Sequence, residues 1–83
     1  MKWFNLSKDI SRKDAKEILR YMREIIDRYG FVTLADFYDL IGSEKAVYTD
    51  HKKGWRMLTR AKVSLIRRKG MYKIELPDFV DVS

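Results

Sequence analysis

DHKKGWRMLTR, residues 50–60, is the stretch on which the fold turns. Asp50 is a good helix cap. Trp55 and Leu58 stand three apart on one side of the helix it would start, with Lys52, Lys53, Arg56 and Arg60 around them. Gly54 opposes that reading, since glycine inside a helix costs about 1 kcal/mol against alanine. A loop holding one helical turn is the competing description of residues 43–60. The cap and the apolar pair predict a helix here, the third of the chain.

The chain on either side is easier to read. Over residues 12–29, Ala15, Ile18, Leu19, Met22, Ile25, Ile26 and Tyr29 recur at spacings of three and four, which predicts an amphipathic helix with these residues on its inner face. Ser11 suits its N-cap, with Asp14 three residues on, and Gly30 suits its end. Its other face mixes signs, as a solvated face does, with Arg20 and Glu24 one turn apart. Phe31 and Val32 are strand formers. Thr33 followed by Asp36 is a capping pattern for a short helix from Leu34 to Ile41, closed by Gly42.

Residues 62–77, KVSLIRRKGMYKIELP, alternate around Lys69-Gly70. A two-residue turn there pairs Arg68 with Met71, Leu65 with Ile74 and Val63 with Leu76. Side chains alternate strictly along a strand. This register therefore gathers Val63, Leu65, Tyr72, Ile74 and Leu76 on one face and leaves Ser64, Ile66, Lys73 and Glu75 on the other. Pro77 offers no N–H to the ladder and ends the strand. Trp3 and Phe4, or Phe79, Val80 and Val82, supply a third strand or cover the core; residues 1–10 and 78–83 are otherwise flexible flanks.

Helix, short strand, short helix, third helix and hairpin is the element order of a winged-helix domain, an α+β fold closing in a C-terminal antiparallel β-hairpin. Without the third helix the chain reduces to a plainer α+β unit, a helix on a small antiparallel sheet. At 83 residues it is a single domain, 1–83. A chain this short buries only about 60% of its unfolded surface, so an apolar fraction of 46% has to be used fully. Cysteine is absent, which excludes disulfides and Cys-based metal sites and fits a reducing, intracellular setting. No apolar run approaches the roughly 18 residues of a membrane span, and the first residues do not read as a secretory signal.

The net charge of +6 is unevenly placed. Residues 1–50 carry equal numbers of acids and bases, and residues 74–83 carry only acids. Between them, residues 51–73 hold Lys52, Lys53, Arg56, Arg60, Lys62, Arg67, Arg68, Lys69 and Lys73 without one Asp or Glu. Such asymmetry points to a polyanionic partner.

YGFVTLADFYDLIG (29–42), YTDHKKGW (48–55) and GMYKIELP (70–77) resemble stretches shared by a group of small bacteriophage and prophage proteins of uncharacterised function. The likeness runs over roughly residues 12–77. It implies a phage-related protein acting in the cytoplasm of a bacterial cell or in a virion, and it implies no activity. Most of the basic residues lie outside these motifs.

The chemistry of catalysis is missing from the sequence. His51 is the only histidine and has no cysteine to share a zinc ion with. Asp36 and Asp39 lie three apart on a short helix, where Asp36 serves as a cap. The serines have no base and orienter at a useful spacing. The four glycines are isolated, so no phosphate-cradling loop exists. The expectation is a non-enzyme without cofactor or metal. The nine basic residues of 51–73 are then the candidate site for DNA or RNA, contacting mostly phosphates with weak sequence preference. Lys52, Lys53, Arg56 and Arg60 would lie on the groove-facing helix, with Arg67, Arg68 and Lys69 at the wing tip. The alternative is a protein-interaction or assembly module whose basic surface meets an acidic host or virion protein, with Ile66 and Met71 as apolar contacts.

Overall fold

The computed structural model describes residues 2–7, 9–42 and 48–82. In chain order the elements are β1 (Lys2–Asn5), α1 (Arg12–Tyr29), β2 (Val32–Thr33), α2 (Leu34–Leu40), a 3-10 turn (Tyr48–His51), β3 (Lys53–Trp55), β4 (Lys62–Ile66), β5 (Met71–Leu76) and β6 (Val80–Asp81). They form a small α+β domain with two helices and two three-stranded antiparallel sheets, ordered β1-β5-β4 and β2-β3-β6. Its radius of gyration of 12.2 Å matches the roughly 12 Å of a compact chain of this length.

Both helices form where their local signals put them. Ser11 caps α1 by accepting a hydrogen bond from the Asp14 amide at 3.1 Å, and the Gly30 amide closes it onto the Ile26 carbonyl at 2.7 Å. Ala15, Ile18, Leu19 and Met22 are buried and Ile25 and Ile26 partly so. Tyr29, expected on the inner face, is 66% exposed, because the helix runs past the core at its last turn. At α2 the capping box is complete. The Thr33 hydroxyl accepts from the Asp36 amide at 3.0 Å, and the Thr33 amide donates to the Asp36 carboxylate at 3.2 Å. This fixes Phe37 fully inside the core.

The expected third helix is not formed. Residues 43–47 lie outside the described residues, and 48–60 fold as the 3-10 turn, β3 and a loop. The reason lies in Gly54, which the helical reading counted only as a cost. In β3 it sits opposite Thr33, so close to β2 that a methyl group there would overlap the Val32 carbonyl oxygen. It would also lie 2.8 Å from the Thr33 Cα. Glycine is the residue that lets two backbones approach this closely. The pairing buries Trp55, whose indole Nε1–H donates to the Pro77 carbonyl at 2.6 Å. Leu58 is buried in the loop beyond, which is clamped by the Arg23 guanidinium donating to the Leu58 and Ala61 carbonyls at 3.1 and 3.3 Å.

The turn between β4 and β5 is also longer than expected. Ile66 pairs with Met71, and the four residues Arg67–Gly70 form the connection. The Lys69 and Gly70 amides both donate to the Ile66 carbonyl, at 3.1 and 3.0 Å, and Gly70 takes φ of 62°. Lys-Gly cannot supply the two left-handed residues of a tight two-residue turn, and a longer loop needs only one. The register moves by two residues, an even shift, so every side chain keeps its face. Val63 now meets Ile74 and Leu65 meets Tyr72.

The two ends of the described chain join different sheets. β1 lies beside β5, with Phe4 opposite Ile74, while β6 lies beside β3. The core sits between α1 and the inner face of the first sheet, built on Leu6, Met22, Ile74 and Leu76. Phe37 and Trp55 close it toward the second sheet, their rings edge-on at 6.2 Å, and Phe4 reaches Phe37 at 4.9 Å. None of the described helices is long and apolar enough to cross a membrane.

Gly54→Ala should therefore cost about 3 kcal/mol or more, as overpacking against backbone does. Gly70→Ala, whose added methyl meets nothing, should cost only about 1 kcal/mol of left-handed strain. Urea unfolding of the two variants beside the parent chain measures both.

Candidate nucleic-acid interface

The nine basic residues of 51–73 are divided between the strands of the two sheets and the loops beside them. Lys52 and Lys53 lie at the start of β3 and Arg56 just past its end, with Lys53 Nζ 5.6 Å from the Phe79 ring centroid and the Arg56 guanidinium 5.9 Å from that of Phe31. Arg60 lies exposed in the loop before β4. The groove-facing helix expected to carry these four is absent, so they flank the second sheet instead. Arg67, Arg68 and Lys69 are exposed together in the β4–β5 turn, and Lys62 and Lys73 stand on the outer face of the first sheet.

That outer face is polar and regularly arranged. Registers across β1, β5 and β4 align it in rows. Trp3, Glu75 and Lys62 form one, Asn5, Lys73 and Ser64 the next, and Met71 with Ile66 a third beside the basic turn. Rows follow one another at about 7 Å, twice the rise per residue. Glu75, at the centre, is only 19% exposed in its side chain, with Lys62 Nζ 3.4 Å from one carboxylate oxygen and Lys73 Nζ 3.8 Å from the other. The Ser64 hydroxyl donates to it at 3.2 Å. Partial burial alone would raise the Glu75 pKa. The hydrogen bonds from Lys62 and Ser64 and the two ammonium charges outweigh it and hold the carboxyl below its ordinary value. Glu75 is the only acid in these rows, so the surface stays cationic beside a turn that adds three more positive charges.

Trp3 is the residue of this face that sequence reasoning did not assign to it. It is 60% exposed, and Lys73 Nζ lies 4.6 Å from its ring centroid. The alternation of 62–76 placed Lys73 and Glu75 outward, but nothing local tells that residue 3 pairs with residue 75. Elsewhere the functional candidates are quiet. His51 is exposed, Asp36 is held in its cap, and among the described residues no group of three or more His, Cys, Asp or Glu could hold a metal ion. A shallow groove between α1 and α2, lined by Tyr21, Ile25, Tyr29 and Leu40, is rimmed by Glu24 and Arg28 and so has no dominant charge.

No family model, curated protein or solved structure matches this chain.

The Glu75 arrangement sets a pH dependence. A carboxyl with a lowered folded pKa contributes stability that is present above its unfolded pKa and lost as the pH falls through the folded one. Glu75→Gln should lower the melting temperature by a few degrees near pH 7. The gap should close as the pH falls below the ordinary carboxylate range and through the lowered folded pKa, where the parent loses the same charge. Thermal melts across that range test it.

Proposed function

We propose that this chain is a small non-enzymatic nucleic-acid-binding protein that uses the β4–β5 turn and the adjoining outer face of the first sheet. The observation that carries the reading is a run of cations along one sheet, Arg67, Arg68 and Lys69 in the exposed turn and Lys73 and Lys62 in the successive rows behind it, with Glu75 as the only acid in those rows. Cations so placed neutralise phosphates and release their counterions. They form no bidentate set for reading bases, so the contacts position without specifying sequence. The winged-helix form of the proposal is not kept, because its recognition helix is replaced by β3. The likeness to small phage proteins favours a role in a bacterial host or a virion.

Fluorescence anisotropy with labelled single- and double-stranded oligonucleotides over a salt series tests the proposal. Five cations set the steepest expected log–log slope, about −4.5 on duplex and about −3.5 on a single strand, and the pairing of Lys62 and Lys73 with Glu75 makes it shallower. Arg67→Glu, Arg68→Glu, Lys69→Glu together should abolish binding without unfolding an exposed turn. Glu75→Gln should tighten binding by freeing Lys62 and Lys73 for phosphate. Absence of binding to either form at about 50 mM salt overturns the proposal and leaves the basic face to an acidic protein partner.

A further inference from the structure

The outer face of the first sheet differs from a merely basic surface in one respect, the large exposed ring at its edge. On the proposed reading of this face as a nucleic-acid surface, we infer that its ligand is single-stranded, with a base stacked on Trp3 and the flanking phosphates on Lys73, Lys62 and the Arg67–Lys69 turn. Three observations carry this. Trp3 is 60% exposed while the next residue, Phe4, packs inward on Phe37, so strand alternation turns the indole away from the core. Its companion is a cation, Lys73, whose Nζ lies over one face of the ring at 4.6 Å, so that a base stacked on the other face has a phosphate partner next to it. Trp3 and Lys62 stand on the two edge strands of one row, at either side of Glu75, so a chain crossing the row meets a ring at one edge and a charge at the other.

The same geometry disfavours a duplex. The major groove is about 12 Å wide and admits a helix or a two-stranded ribbon. Three strands about 4.8 Å apart, with side chains at both edges, are broader than that. The outer face of α1 mixes Glu17, Arg20 and Glu24 in mutual ion pairs and offers no substitute. Bases inside a duplex are already stacked, whereas every unpaired base presents a face to an exposed indole.

The two tryptophans provide the readout, since Trp55 is 2% exposed and Trp3 lies open. Titrating the parent chain with an oligothymidine of about twelve nucleotides should quench tryptophan emission, and Trp3→Phe should remove most of that quenching. Trp3→Ala should weaken binding to the single strand roughly 5- to 150-fold, with Trp3→Phe largely restoring it. Duplex binding should be weaker in the parent and unchanged in both variants. Circular dichroism confirms that these exposed substitutions leave the fold in place. Equal loss on single strand and duplex, or binding without quenching, overturns the stacking assignment while leaving the charge-based proposal standing. No binding of either nucleic acid overturns both.

Discussion

The hydrogen bond from the Trp55 indole to the Pro77 carbonyl is the contact on which the two halves of this domain depend. Trp55 belongs to β3, in the middle of the second sheet, and Pro77 is the first residue beyond β5, in the middle of the first. The bond fixes one sheet against the exit of the other. The indole also lies edge-on to Phe37 at 6.2 Å and to Phe79 at 6.4 Å, an arrangement that adds to plain burial. Phe37 is there because the Thr33–Asp36 capping box orients α2, and Trp55 because Gly54 lets β3 lie tight against β2. A few short-range features thus deliver the rings that a short chain needs to close its core.

Because the clamp occupies residues 53–55 as a strand, the basic residues around it take edges and loops in place of a helix face. Lys53 and Arg56 lie over the rings of Phe79 and Phe31, beside the second sheet. The cations near the β4–β5 turn stay together because the turn is long and exposed. Glu75 between Lys62 and Lys73 is the exception to a surface otherwise lacking acids. It holds two long side chains in place on the sheet, at the cost of part of their charge.

The parts of the fold legible in the sequence were those written over a run of neighbours. α1 announces itself by an apolar repeat over 18 residues and a cap at its start, and β4 and β5 by their alternation. The loop between those strands was misjudged, yet their faces were not, since alternation fixes parity and parity survives an even shift. Of the second sheet only its outer strands were hinted at, by Val32 and by Val80, and β3 and the pairing were illegible because strands of two or three residues are too short to show any period. Gly54 carried the decisive signal and was weighed as a flaw in a helix, since a close backbone approach shows only when the partner strand is known. Of the candidate site, Lys62, Lys73 and the turn could be placed from local pattern, while Trp3 depended on a pairing across almost the whole chain.

That pairing has a consequence for how the protein is made. Phe4 finds Ile74 about seventy residues further on, with both helices and most of the second sheet between them. Closing so long a loop costs only slightly more than closing a short one, but it must precede the reward. At about 5 to 20 residues per second, a ribosome leaves β1 without its partner for roughly 4 to 14 s. For that interval the apolar face of α1 has no sheet to cover it, and Trp3 and Phe4 lie on an unpaired strand. The nascent chain is therefore most open to chaperones, or to a neighbouring copy on the same message, before residues 71–76 emerge, and the folding step that ends this exposure is the docking of β5 beside β1.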